Sequence, residues 1–313
     1  MTTMELSLFI RNQAVLLGFD ACGCAKAEPR PDQEQLNMKA WLLEDFHGEM
    51  SYMGRNIEKR MDPRLLVGGC KSIVMVALNY YPAANRLPSM PKVARFAYGL
   101  DYHFIIRGKL NQLLEKLREQ GVGVSGRAFS DSAPIMERFW AWKAGLGWLG
   151  KNKNLLIPGS GSYFLLGELL IDLELEYGTP IENRCGTCDK CLQACPTKAL
   201  DGKRLDARPC LSYLTIEKKG PFSAAETTLV GQNDWVFGCV ICQEVCPWNR
   251  FAQATITPEL QPTEHFLDLD ETKLRKLNPA SFKAYFKGTC IERTGLEGLQ
   301  RNLATYQKSR LPF

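Results

Sequence analysis

CGTCDKCLQACP at residues 185–196 and CVICQEVCP at residues 239–247 decide how this chain is read. The first run is Cys185-x2-Cys188-x2-Cys191-x3-Cys195-Pro196, and the second is Cys239-x2-Cys242-x3-Cys246-Pro247. In a two-cluster bacterial ferredoxin the first three cysteines of such a run hold one [4Fe–4S] cluster. The fourth, just before proline, holds the other. That crossing assigns Cys185, Cys188, Cys191 and Cys246 to one cluster. The second run lacks its first cysteine at the usual spacing, and Cys210 is the one cysteine between the runs. The second set is then Cys195, Cys210, Cys239 and Cys242. Soft thiolates suit iron–sulfur clusters, and short loops let backbone N–H groups bond the sulfides. The alternative, two zinc sites of four thiolates each, usually pairs C-x2-C knuckles without an interleaved run. The chain therefore moves electrons singly.

Working outward, 313 residues are too many for a bare ferredoxin and suggest more than one domain. The abrupt rise in cysteine, glycine and charge after Gly178 divides the chain into 1–178, a cluster domain at 179–255, and a short basic helical tail at 256–313. From Glu271 to Phe313 there are nine Lys/Arg and three Asp/Glu, a net of +6 in a chain of net charge +5. Such a tail suits phosphates or acidic partners, or is a solvated helix face. Met4 to Gly18 is amphipathic and carries Glu5 and Arg11, unlike a signal peptide. The most apolar run, Tyr163 to Leu170, contains Glu168 and is far shorter than the roughly 20 residues of a membrane span. We expect a cytoplasmic protein with no membrane partner, whose cysteines serve metal rather than disulfides. Cys22 and Cys24 in a glycine-containing turn, Cys70 and Cys290 read as buried free thiols.

The first 178 residues alternate helix and strand. Helical spacing marks Glu5–Gly18, Lys39–Phe46, Tyr102–Gln120 and Pro134–Ala144. Strand composition marks Lys71–Tyr81, Val122–Ser130 and Tyr163–Leu175. This points to an α/β domain. Gly121, Gly123 and Gly126 match G-x-G-x-x-G, but they follow a helix and lead into a strand. A dinucleotide fingerprint needs the reverse order, so we expect no such site. A ferredoxin-type module beside a larger domain implies a client cofactor there that accepts electrons stepwise.

The motifs HGEMSYMGRN (47–56), RFAYGLDYH (95–103), FSDSAPIMER (129–138), AGLGWLGKN (144–152), LDARPCLSYLTIE (205–217) and FGCVICQEVCPWN (237–249) resemble, in the same order, those of the epoxyqueuosine reductases. GLQRN at 298–302 matches as well, although many members of that family continue into a longer helical-repeat region. The resemblance implies an α/β domain binding base-off cobalamin, an α+β bacterial-ferredoxin-like domain with two [4Fe–4S] clusters, and a short helical tail. It implies reduction of the epoxide of epoxyqueuosine in a tRNA anticodon loop to the alkene of queuosine. The partners are that tRNA and an external electron donor, and the protein is expected to be a monomer. By the same resemblance Asp131 is the proton donor, and a carboxyl beside a flat apolar cofactor would carry a raised pKa. From its neighbours alone Asp131 also fits a turn or helix N-cap. Arg55, Arg95, Tyr98, Lys151, Asn154, Ser212 and Thr215 lie in the matched motifs or beside Cys210, and are expected to contact the corrin or the modified base. Asp101-x-His103 begins like a D-x-H-x-x-G cobalt-ligating motif, but Ile106 stands where glycine is needed. His103 is therefore expected to be structural or to face substrate. The rival readings are a reductive dehalogenase with similar cofactors, or a ferredoxin fused to a docking domain with no catalysis of its own.

Overall fold

The computed structural model describes residues 1–87 and 89–308. Its first part packs α1 (Thr3–Leu16), β1 (Ala21–Lys26), α2 (Asp32–Leu43), α3 (Ile57–Met61), β2 (Ser72–Asn79), β3 (Lys92–Val93) and α4 (Tyr102–Glu119). There follow β4 (Gly126–Phe129), α5 (Glu137–Lys143), the hairpin β5 (Trp148–Leu149) and β6 (Leu155–Leu156), and β7 (Phe164–Ile171). Four strands form one sheet in the order β1-β2-β7-β4, and every neighbouring pair is antiparallel. The expected alternation of helix and strand is present, and the sheet it builds is antiparallel. The long apolar run of β2 does not report a parallel strand. It reports burial on both faces. Val74, Val76 and Leu78 face a core with α1 and α4, and Ile73, Met75 and Ala77 face a second core with α5.

Cys22 and Cys24 lie on β1, not in a turn; Cys24 is fully buried and Cys22 half-buried. The segment ACGCAK has none of the branched residues that mark strands, which hid it. The glycine pattern at 121–126 runs from the end of α4 into β4, the order expected from the sequence. At Gly178 a Cβ would stand 2.1 Å from the Ala144 carbonyl oxygen, so the chain leaves the first part through a contact that only glycine fits.

The second part holds α6 (Lys190–Gln193), α7 (Leu211–Ile216), α8 (Ala224–Gly231), β8 (Trp235–Phe237) and α9 (Ile241–Glu244). It is not a separate bead. Strand β8 pairs in parallel with β3 of the first part. The β5–β6 hairpin reaches across as well: Lys151 Nζ donates to the carbonyls of Gly186 and Cys188 at 2.8 and 2.9 Å, and Asn152 Nδ2 to that of Cys242 at 3.1 Å.

The C-terminal segment adds α10 (Glu264–Leu267), α11 (Glu271–Arg275), α12 (Pro279–Phe286) and α13 (Gly295–Lys308). Residues 309–313 of the expected basic tail lie outside the described residues. The rest is no appended tail: Phe266, Leu274, Phe286, Ile291 and Leu303 join the core that also holds α1 and α4. The GLQRN motif explains the fit. Asn302 Nδ2 donates to the carbonyls of Thr215 and Val236 at 2.8 and 2.9 Å, and Arg301 donates to those of Leu214, Lys218 and Gly220. Among the described residues no helix is long and apolar enough to cross a membrane. Because Phe286 is 1% exposed, Phe286→Ala should cost roughly 3–5 kcal/mol in urea unfolding. A loss below about 1 kcal/mol would make the segment the loose tail that its charge suggests.

Candidate active site

The two cysteine runs each lead into a short helix, α6 and α9, and these pack against each other. Cys185, Cys188, Cys191 and Cys246 line one cavity. The Cys191 thiol is pushed up by burial and further by Cys246, Cys185 and Cys188. Cys239 is pushed up by burial and then by Cys210, Cys242 and Cys195; Cys242 responds to Cys210, Cys195 and, less, Cys191. Thus the structure brings the eight thiols together as two groups of four. Among the described residues, a group of metal-binding side chains whose ligand atoms all lie within 4.8 Å of one another is Asp101, His103 and Cys290.

Between the first part and the cysteine module lies an open cleft of about 380 Å³. Its wall on the module side is built by Ser212, Ile216, Phe237, Cys239, Val240 and Gln243. Its opposite wall is β7 and the hairpin, through Phe164, Leu165, Leu166 and Asn154. At the mouth stand Tyr102, His103, Asp131, Arg138 and Arg293. Asp131 also borders a second, outer hollow whose rim carries Arg55, Arg60, Arg107, Arg138 and Arg293.

A polar cluster meets at that mouth. Asp101 caps α4 by accepting the His103 N–H, and the same carboxylate oxygen lies 2.5 Å from His103 Nδ1. On the other side His103 Nε2 is 3.7 Å from Asp131 Oδ2, which accepts the Tyr102 hydroxyl at 2.7 Å. Cys290 Sγ sits 3.8 Å from Asp101. The Asp131 side chain is 61% exposed and faces the cleft, whereas His103, at 20%, lies beneath it. Burial would push the His103 imidazole down. Its bonds to Asp101, Asp131 and Cys290, with the Asp101 charge, push it up instead to about 11. His103 is therefore an imidazolium at neutral pH. The walls of the cleft would raise Asp131, but hydrogen bonds from His103 and Tyr102 prevail and hold it below the usual carboxylate range. The raised pKa expected for Asp131 from its apolar setting is thus reversed by two donors that sequence spacing did not reveal.

Behind Asp131 lies a second carboxyl pair. Glu137, at the start of α5, accepts the backbone N–H of Asp131, and Glu168 on β7 is fully buried beneath it. Sequence reasoning did not select either residue for function. The signal was there for Glu168, the single charge in the apolar run 163–170.

Of the seven residues expected at the cofactor, Asn154 and Ser212 line the cleft. Arg55 lines the outer hollow instead. Arg95 is taken up by Glu244 at 2.8 Å, by Asn85 and by the rings of Tyr81 and Tyr163. Tyr98 is buried against Phe266, and Thr215 is buried with its hydroxyl bonded to Leu211 and Gly238. Lys151 is spent on the loop of the first thiol group. None of these last four borders the cleft; each instead fixes the packing around it.

Comparison with known proteins bears on this arrangement. Residues 184–249 match the model described as a 4Fe-4S double cluster binding domain, and residues 60–132 that of "Epoxyqueuosine reductase QueG, DUF1730". An epoxyqueuosine reductase of Leadbetterella byssophila is 44% identical over 304 residues, 96% of this chain and 98% of that one. The chain belongs to the epoxyqueuosine reductase family. A structure of an epoxyqueuosine reductase with an epoxyqueuosine-modified tRNA-Tyr stem loop superposes with a TM-score of 0.84 at 30% identity, over 97% of this chain and 81% of that one. The Bacillus subtilis epoxyqueuosine reductase, solved with its catalytic aspartate loop swung out of the active site, gives the same score and identity over 97% and 82%.

Within this family member, Asp101→Asn removes the charge that holds the His103 proton. NMR titration of the ring should show the midpoint falling from about 11 toward the ordinary 6.5, with the proton present below it and lost above it. An unmoved midpoint would mean that Asp101 does not set the state of His103.

Proposed function

We propose that this protein reduces the epoxide of epoxyqueuosine in a tRNA anticodon loop to the alkene of queuosine. The observation that carries the reading is that Asp131 and Cys239 border one cleft, a proton donor on one side and an electron module on the other. Relatives named for this activity and matching over nearly the full length support it above a dehalogenase. Cys185, Cys188, Cys191 and Cys246 hold one [4Fe–4S] cluster, and Cys195, Cys210, Cys239 and Cys242 the other. Support comes from their grouping and from the match of residues 184–249 to a 4Fe-4S double cluster binding domain. The domain layout is a cobalamin-binding first part, a two-cluster module and a C-terminal segment braced on both.

The residues of the cleft fit a large planar cofactor. Its walls are apolar at Phe164, Leu165, Leu166 and Phe237 for a flat ring face, and polar side chains such as Asn154, Ser212 and Gln243 stand among them to meet polar substituents. Cobalamin held there, with Ser212 on the module side and Asn154 opposite, supplies a strongly reducing centre that accepts electrons singly. An external donor refills the clusters.

The reaction takes two electrons and two protons and releases water. Breaking the first C–O bond leaves negative charge on oxygen, a poor leaving group until it is protonated. Asp131 is the group exposed to that oxygen, and His103 beneath it holds a proton at neutral pH. The pair therefore acts as one donor: the proton rests on the His103 imidazolium, and the Asp131 carboxylate, which touches the substrate, passes it to the oxygen as negative charge develops there. Tyr102 fixes the carboxyl that both share. Arg55 and Arg107 on the outer rim offer charge to loop phosphates, which sets register without reading bases.

The test is anaerobic: cluster- and cobalamin-loaded protein, a strong reductant, and tRNA carrying epoxyqueuosine, followed by mass spectrometry of the nucleosides. Loss of one oxygen to give queuosine is expected, slowed at least about 100-fold in Asp131→Asn. No conversion by protein with both cofactors bound would overturn the reading.

A further inference from the structure

Glu168 is an expensive residue. It lies on the central strand β7, paired across to Met75 and Phe129, and is fully buried against the core of α5. Neither of its oxygens meets an N–H or O–H donor among the described residues. Its polar contact is the carboxyl of Glu137. Two carboxyl groups bond only if one carries a proton, so Glu168 is the protonated partner and donates to Glu137. Burial, then the charge of Glu137, drive Glu168 the same way, well above the usual carboxylate range.

Glu137 then faces outward. One of its oxygens accepts the N–H of Asp131, whose backbone is left-handed at φ 49°, a conformation that L-residues with side chains rarely adopt. A short strained turn with an exposed carboxylate is thus tied to the sheet at its backbone. The contact is to an N–H and not to the Asp131 carboxyl, so the pair holds the backbone of the turn. The Bacillus subtilis relative, solved with its aspartate loop swung out, indicates that the corresponding loop has a second position there.

We propose that Glu137 and Glu168, bridged by one proton, form a buried latch that holds the Asp131 loop in the cleft. Both are positioning residues. The proposal rests on the reading of Asp131 as proton donor.

The groups facing Glu137 are Asp131 from the loop, Glu168 from β7, and Arg138 beside it on α5; His103 and Tyr102 of α4 act on Asp131. Burial and the Asp131 charge push Glu137 up to about 7. Below that pH it is neutral and a weak acceptor. Above it the carboxylate takes charge-assisted bonds from both the Glu168 O–H and the Asp131 N–H. The latch tightens as pH rises through about 7.

Hydrogen exchange of residues 129–137 in the cluster-loaded protein, corrected for intrinsic rates, reads the latch directly. Wild type should gain protection across that range. Glu137→Gln should be less protected and lose the pH dependence. Glu168→Gln, whose amide still donates, should keep both. Glu168→Leu should raise the melting temperature, because a buried polar group is removed. It should nevertheless expose the loop to exchange and lower kcat roughly 10- to 100-fold with KM for tRNA unchanged. Unchanged exchange in Glu168→Leu, or a loss that follows a lowered melting temperature, would overturn the proposal. Exchange decides the latch even without turnover, so a wild-type protein that fails to convert tRNA removes the functional reading alone.

Discussion

Two groups of four thiols, drawn from the 62 residues from Cys185 to Cys246, are brought together, and the rest of the molecule is arranged around them. Neither run supplies a complete set. Cys195 and Cys246 each belong with the other run, so α6 and α9 must lie side by side. Cys210 comes from between the runs, at the N-terminus of α7. That helix would be poorly held by the small module, and it is the C-terminal segment that pins it, through Arg301 and Asn302 on its carbonyls and Thr294 on Thr215 and Ile216. Lys151 and Asn152 of the hairpin do the same for the loops of the two groups.

The cleft follows from this bracing. The module presents Cys239 and Ser212 to a sheet whose exposed end carries the Asp101–His103–Asp131 cluster. Electrons and protons thus arrive from different walls, each controlled by its own residues. Imidazolium is held between two carboxylates, where hydrogen bonds to both and to Cys290, with the charge of Asp101, outweigh the loss of hydration. Its two acceptors come from the cap of α4 and the turn after β4, elements locked to one sheet. The rigidity of that sheet sets the spacing of the proton donor pair.

Much of this was legible in the residues. The spacing of the cysteines is a covalent requirement of the clusters, so it shows directly in the sequence. The boundaries of β2 and α4 show because their apolar spacing is strong. What was hidden depends on contacts across long sequence distances. The strand direction around β2 could not be read, since burial on both faces gives the same apolar run either way. β1 was missed because small residues and cysteines fill it. Arg95, Tyr98, Lys151 and Thr215 lie in matched motifs but serve packing: a motif marks constraint, and a salt bridge to Glu244 constrains as firmly as a cofactor. The basic composition of the C-terminal segment concealed Phe266, Phe286 and Leu303, which are core. The state of Asp131 needed Tyr102 and His103 brought beside it from 29 and 28 residues away in sequence, and no local pattern announces that.

The central claim is the crossed sharing of thiols, and iron content with electron paramagnetic resonance on anaerobically reconstituted protein tests it most directly. Wild type should hold about eight irons and show two interacting reduced clusters. Cys210→Ser should lose the cluster of Cys195, Cys239 and Cys242 and leave about four irons with a single unperturbed signal. Zinc in place of iron, or a Cys210→Ser protein with both clusters intact, would contradict the account.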